Sequence, residues 1–386
     1  MKLGDVFDPR NNALNAWRLA LAAEVILWHS FPLTGRSVSY EPVRQLLFSL
    51  GVDGFFAVSG FLVTASWIRH PRVRDYSAAR ALRIFPGFYA CLVVTAFVIA
   101  PLSVAIQGGS ATKLLSSKAP FEYVLMNSAL LILKPDVGGT PTGVPSPGAW
   151  NISLWTLIWE MFCYIAVAGF GLAGLLTRRW FLPTLMVLAA VSAALLPPMT
   201  FPGAWTIQQA VARFAMMFVA GALLNQFRDV IPARWSLVAV SLAIVAGASL
   251  MPDYRVIGAI PLAYAIIVSG SLVHNKRLRL RTDLSYGVYI YAFPTQQLLI
   301  VCGVGALTPL AFFPVATIAT LPLAALSWFL VEKPALSLKA RLLRKPSAAT
   351  QPAAIEGSSE SSDPKIIIMA PGLADPKDDR DASGVS

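Results

Sequence analysis

Charged residues are scarce in this sequence of 386 residues, because only 13% are Asp, Glu, Lys or Arg, whereas 56% are hydrophobic. Soluble globular domains carry about 25% charged residues, so this composition excludes a soluble globular protein. Histidine and cysteine are rare as well, with three of each. All three cysteines fall within apolar runs, which argues against a disulfide framework or a cysteine-based metal site.

Long apolar runs recur through most of the chain and predict membrane-spanning helices. A helix needs about 20 apolar residues to cross a hydrocarbon core of ~30 Å, and runs of that length favour helices over a barrel. We therefore predict an all-α membrane protein, a polytopic bundle of about ten transmembrane helices. The predicted spans are residues 14–33, 47–68, 84–106, 152–176, 180–197, 207–226, 235–251, 255–273, 284–304 and 309–332.

The net charge of +11 does not indicate a nucleic-acid partner, because the Lys and Arg residues are not gathered into a patch with aromatic residues. They concentrate in alternate loops, and the positive-inside rule then puts both termini in the cytoplasm. From residue 346 onward the composition turns to Pro, Ser, Ala, Asp and Lys. This change predicts a transmembrane domain over residues 1–345 and a disordered cytoplasmic tail over residues 346–386.

The first predicted span contains Arg18, Glu24 and His29. On a helix, the eleven steps from Arg18 to His29 end roughly 20° beyond three full turns, so the two side chains share one face and lie ~16 Å apart along the axis. Glu24 is predicted to point away from both. Ionisable groups in a membrane usually face a polar cavity or a partner, which favours a polar passage along this face. The alternative is a packed helix with a hydrogen-bonded His and a snorkelling Arg.

Two carboxylates are predicted at a depth similar to that of His29. Asp53 lies about two turns into the second span, and Glu160 lies a little deeper in the fourth. The three side chains are therefore predicted to meet in the outer half of the bundle. A carboxylate beside an imidazole makes it a plausible general base, although each carboxylate is equally compatible with a structural ion pair. His29 is the sole candidate base within the predicted spans, because His70 and His274 fall in loops.

Arg80 and Arg83 lie three residues apart at the entry of the third span, so they are neighbours on a helix. Two guanidinium groups at that spacing suit the recognition of phosphate or pyrophosphate. Arginines at such a position also serve as plain topology determinants, and this alternative stays open from sequence alone.

Several motifs together resemble those of the membrane-bound acyltransferase 3 family, over about residues 12–335. The first is Arg18 followed by ten residues and His29. The others are GVDGFFAVSGFL (51–62), ARALRIFPGFY with Arg80 and Arg83, LWTLIWEMFCY with Glu160, and WFLVEKPAL (328–336). One departure is Ala292, at a position where many relatives have a His.

The resemblance implies a membrane O-acyltransferase of the bacterial inner membrane. It implies an acyl-CoA donor, often acetyl-CoA, offered from the cytoplasm, and an acceptor hydroxyl on a surface glycan or glycolipid presented from the other side. Arg18, Arg80 and Arg83 would bind the acyl-CoA. His29, supported by Glu160 or Asp53, would deprotonate the hydroxyl or first take the acyl group itself. No bound cofactor and no metal are expected.

A transporter or flippase for a lipid-linked sugar is the alternative from another class. In that case Arg18, His29 and Glu160 would line a substrate or proton path. Such a protein usually has helices broken near the membrane midplane, and the spans that carry Arg18 and Glu160 are not interrupted by Gly or Pro in that way.

Overall fold

The computed structural model describes residues 1–342 except 202, 204, 274, 279 and 281. Almost all of the regular structure in these residues is helical, with no β-strand among them. The α-helices are α1 (Leu3–Val6), α2 (Leu14–Leu33), α3 (Glu41–Arg69), α4 (Val73–Val94), α5 (Ala100–Ile106), α6 (Ala111–Leu115), α7 (Ala119–Asn127), α8 (Leu157–Leu172), α9 (Phe181–Leu195), α10 (Ile207–Gln226), α11 (Trp235–Ala248), α12 (Arg255–Leu272), α13 (Ser285–Val301), α14 (Pro309–Ser327) and α15 (Lys333–Leu342).

Among the described residues, six continuous helical segments are long and apolar enough to cross a membrane. Each predicted span coincides with a helix, which confirms the all-α membrane architecture. The number of crossings stays a prediction, because α9, α11 and α13 have only 15, 14 and 17 residues and α2 carries Arg18, Glu24 and His29. The six segments are Glu41–Arg69, Val73–Ile106, Ile152–Leu172, Ile207–Gln226, Arg255–Leu272 and Pro309–Leu338.

Residues Met1–Leu343 form one compact unit. The predicted boundary at residue 345 and the predicted tail over 346–386 lie outside the described residues, so both stay predictions.

Two glycines allow α3 and α10 to pack with their backbones in close contact. A Cβ atom on Gly60 would lie 1.9 Å from the carbonyl oxygen of Phe218, and one on Gly221 would lie 1.8 Å from that of Ala57. Small residues at a crossing let membrane helices approach closely, so that van der Waals contacts can stabilise the pair. The α3–α10 pair therefore forms a rigid part of the bundle.

Helix α2 is central to the bundle, because it packs against α3, α13 and α14. A polar side chain fastens it to α13: the amide of Gln296 donates to the carbonyl oxygen of Ile26 at 3.0 Å and to the hydroxyl of Ser30 at 3.1 Å. Both Gln296 and Ser30 are fully buried. This packing holds the face of α2 that carries Arg18 and His29 inside the protein.

Candidate active site

The arginines of α2 and α4 converge on one carboxylate. Arg18 of α2 donates to Oδ2 of Asp283, and Nη2 of Arg83 on α4 donates to the same oxygen at 2.7 Å. The other oxygen, Oδ1, accepts from the hydroxyl of Ser285 at 2.5 Å, at the start of α13. Two guanidinium groups share this one carboxylate, and the carboxyl groups of Glu160 and Glu332 lie close enough to act electrostatically on Arg18 and Arg83.

The carboxyl group of Asp283 is ionised at neutral pH. Burial alone would raise the pKa of its carboxyl group, but the neighbouring charges of Arg18 and Arg83 outweigh burial, so the pKa lies below its ordinary value. Sequence reasoning missed Asp283. The signal was its place two residues before α13, where an Asp caps the first backbone N–H groups of a helix; Oδ1 accepts from the backbone N–H of Ser285 at 3.3 Å.

Arg80 lies beside this cluster with part of its hydrogen-bonding capacity unused. Its guanidinium lies over the rings of Tyr76 and Tyr164, 5.8 and 5.6 Å from their centroids. Its Nε is buried and has no hydrogen-bond partner among the described residues. Arg18, Arg80 and Arg83 line one cavity, which we call the arginine cavity. The structure thus brings together the three arginines that the sequence analysis singled out.

Glu160 lies in an adjoining cavity, here called the middle cavity, which is also lined by Arg18 and Arg83. Its Oε1 accepts from the hydroxyl of Ser59 at 2.9 Å and from that of Tyr164 at 2.5 Å. The predicted meeting of Glu160 with His29 is not found. Ser59 follows Asp53 by six residues on α3, roughly 9 Å along the axis, and this offset puts Glu160 nearer to the arginines.

His29 lines a third cavity, the histidine cavity, together with Glu24, Trp28, Trp155 and Arg255. Its Nδ1 lies 2.8 Å from the carbonyl oxygen of its own helix at Val25. Because a carbonyl can only accept, Nδ1 carries the proton in the neutral ring, and the lone pair of Nε2 is free to act as a base. The ring is also packed edge-to-face against Phe293, at 5.1 Å between centroids.

Asp53 is paired with an arginine and does not contact His29. It accepts from Nε of Arg255 at 2.6 Å and from the hydroxyl of Tyr254. Arg255 also lies 3.4 Å from a carboxylate oxygen of Asp253. The predicted contact with His29 is therefore replaced by an ion pair. In the part of the chain that the structure describes, no carboxylate hydrogen-bonds to the imidazole. Asp53 reaches the histidine cavity only through Arg255.

The side chain of Glu24 does not point in the direction that the sequence analysis predicted. Helical geometry turns it away from His29, yet both side chains line the histidine cavity. The cavity extends around α2 toward α3, where the absence of a side chain at Gly51 makes room for the carboxyl group. A Cβ on Gly51 would lie 2.2 Å from Oε2 of Glu24.

The three cavities follow one another through the bundle. The arginine and middle cavities share Arg18, Arg83 and Tyr164 as lining residues. The middle and histidine cavities share Val52 and Tyr289. The three cavities therefore adjoin one another, with Arg80 lining the first and His29 lining the last. Among the described residues, no group of three His, Cys, Asp or Glu side chains could hold a metal ion.

Comparison with known proteins gives the family. The acyltransferase domain model of the acyltransferase 3 family matches residues 11–329. The chain belongs to the acyltransferase 3 family. Membership in this family agrees with the resemblance of the motifs that contain Arg18 and His29, Asp53, Arg80 and Arg83, and Glu160. The chain is therefore an acyltransferase.

Two curated relatives of this acyltransferase match over most of their lengths. An O-acetyl transferase of Shigella phage Sf6 is 27% identical over 336 residues, which cover 84% of this chain and 96% of the relative. Nodulation protein 10 of Rhizobium leguminosarum bv. viciae is 28% identical over 370 residues, 87% of this chain and 96% of the relative. No solved structure gives a significant match.

Proposed function

We propose that the protein is a membrane O-acyltransferase that moves an acyl group, with acetyl as the preferred group, from acyl-CoA to a hydroxyl of a surface glycan or glycolipid. The series of cavities from the three arginines to His29 carries this proposal. The phage relative is an O-acetyl transferase, which supports the choice of acetyl. The distribution of Lys and Arg between the loops supports both termini in the cytoplasm, and the motifs of the family support the bacterial inner membrane.

The donor enters at the arginine cavity. Coenzyme A carries phosphate groups, and guanidinium groups bind phosphate oxygens through paired, charge-assisted hydrogen bonds. Arg18 and Arg83 share Asp283 as a partner, and Nε of Arg80 has no partner among the described residues, so Arg80 in particular is available to a phosphate group. The acyl thioester would then extend through the middle cavity toward His29.

The transfer step uses His29 as a general base. Nε2 takes the proton of the acceptor hydroxyl while the oxygen attacks the thioester carbonyl; the C–S bond breaks, and the thiolate of coenzyme A takes up a proton. In the alternative order, Nε2 attacks first and the acyl group passes from the imidazole to the hydroxyl. In both orders the proton on Nδ1 is held by the carbonyl oxygen of Val25.

The proposal is tested with purified protein in lipid nanodiscs. Acetyl-CoA is supplied together with surface glycan extracted from cells that lack the gene, and both free coenzyme A and ester-linked acetyl on the glycan are measured. We expect both products in equal amounts. No release of coenzyme A in nanodiscs, together with movement of the glycan across the membrane of reconstituted sealed vesicles, would instead support the flippase alternative.

A further inference from the structure

The histidine cavity has a wall of aromatic side chains. Trp28 packs against Phe48 at 5.4 Å between ring centroids and against Phe201 at 5.2 Å. Trp205 packs against Phe48 at 5.3 Å and against Trp155 at 5.1 Å. Trp28, Phe48 and Trp155 line the cavity directly. Phe201 and Trp205 come from the connection between α9 and α10 and pack against these rings.

Polar groups at two points complement this aromatic wall. Oε1 of Glu24 is buried and has no hydrogen-bond partner among the described residues. Arg255 is 3% exposed and is held by Asp53 and Asp253 while it lines the same cavity. An unpartnered buried carboxyl oxygen is costly unless a ligand satisfies it. The mechanism above makes no use of Glu24, so its presence needs another explanation.

This combination fits a sugar ring. Such a ring has an apolar C–H face, which packs on aromatic side chains, and a rim of hydroxyl groups that donate and accept hydrogen bonds. A carboxyl group can accept a hydrogen bond from a hydroxyl in either protonation state. Glu24 precedes His29 by five residues on α2, roughly 7.5 Å along the axis, and both line this cavity, so a ring lying between them would present a different hydroxyl to each.

We propose that the histidine cavity is a subsite for one sugar ring and that Glu24 is its specificity-determining residue. Glu24 accepts a hydrogen bond from a hydroxyl other than the one that is acylated, and this bond presents the reacting hydroxyl to Nε2 of His29. The inference rests on the proposed function and adds to it the residue that selects the acceptor.

The experiment measures the release of coenzyme A from acetyl-CoA with a panel of methyl glycosides and their monodeoxy analogues as acceptors. For the wild type, we expect one hydroxyl besides the acylated one to be required. Glu24→Ala should raise the KM for the parent sugar about 10- to 100-fold, the usual effect of losing a hydrogen bond to a charged group. The KM for acetyl-CoA should stay unchanged. The decisive measurement is the ratio of the KM values for the parent sugar and for the monodeoxy analogue that lacks the required hydroxyl. In Glu24→Ala the two KM values should be alike.

Two further variants keep the test decisive. Glu24→Met keeps the length of the side chain without its hydrogen-bond acceptors, so it should lose the discrimination too, and it decides the test alone if Glu24→Ala fails to fold. Glu41→Gln removes an exposed carboxylate at the start of α3 and should leave all parameters unchanged. Wild-type discrimination in both Glu24 variants would overturn the role of Glu24 and leave the proposed function intact. If no glycoside stimulates release by the wild type while the extracted surface glycan does, the single-ring subsite is overturned and the proposed function stands; if neither acceptor does, the proposed function fails as well.

Discussion

The two ends of the cavity series differ in how their cations are paired. At the arginine cavity, Arg18 and Arg83 share Asp283, and Nε of Arg80 lacks a partner within the described residues. At the histidine cavity, Arg255 has two carboxylates, those of Asp53 and Asp253, within ion-pair distance. Buried charge is costly unless it is paired. Among the described residues, Nε of Arg80 is thus left available to an anionic ligand, which supports the proposed entry of the donor at this end, whereas the charge of Arg255 is already matched by carboxylates.

Among the substitutions that should affect one end of the cavity series and not the other, His29→Ala is expected to have the largest effect. General-base catalysis contributes about 10²- to 10⁴-fold, so the rate of acetyl transfer should fall by that factor while acetyl-CoA still binds. The measurement is initial-rate kinetics of purified protein, with binding of acetyl-CoA determined separately.

His70→Ala is the matched control, because His70 is an exposed imidazole between α3 and α4. Near-normal transfer by His29→Ala would remove the imidazole from the mechanism. Loss of acetyl-CoA binding in the same variant would show that the two ends are not separable.

A change in the packing of α3 should damage both ends together, because α3 supplies Ser59 to the arginine cavity and Val52 to the histidine cavity. In Gly221→Ala the new methyl group meets the backbone of α3 at Ala57. Overpacking of this kind costs about 1–3 kcal/mol or more. We expect a lower melting temperature in detergent and lower yield of folded protein.

Gly247→Ala provides the matched control for this change. Gly247 lies in α11, and a Cβ there would meet no atom of the described structure within 4 Å. Ala is favoured over Gly in a helix by about 0.5–1 kcal/mol, so this variant should be as stable as the wild type or more so. Equal stability of Gly221→Ala and Gly247→Ala would contradict the close α3–α10 crossing.

Arg80→Ala and Arg83→Ala should affect the donor alone. A hydrogen bond to a charged group contributes about 1.5–3 kcal/mol, so each variant should raise the KM for acetyl-CoA about 10- to 100-fold. The KM for the acceptor should stay constant. Arg72→Ala is the control, because the side chain of Arg72 is 78% exposed outside the cavities. Unchanged dependence of rate on acetyl-CoA in both variants would leave these arginines with a topological role.

The smallest expected effect is a response to salt. Salt screens accessible charges, so the KM for acetyl-CoA should rise with sodium chloride concentration, while the KM for a neutral acceptor should not. Both are obtained from one set of initial rates. A parallel rise in the two KM values would contradict the difference in charge between the ends.

Much of the candidate site follows from the spacing of residues within one helix. Arg18 and His29 share a face of α2 because eleven residues make close to three turns, and the structure places them at the two ends of the cavity series. Arg80 and Arg83 are neighbours for the same reason. By contrast, Asp283 pairs with Arg18 across 265 residues of sequence, and Asp53 pairs with Arg255 across 202. Spacing within a single helix carries no information about such partners.

The sequence by itself determined that this is a helical membrane protein, where its helices lie, and which residues resemble the motifs of its family. These properties depend on local hydropathy and helical period, which the order of residues contains directly. Only the tertiary structure decided that Glu160 lies with the arginines, that Asp53 belongs to Arg255, and that Glu24 faces the cavity of His29. Each of these depends on the depth and rotation of one helix against another, and backbone contacts such as that of Gly221 with Ala57 set both.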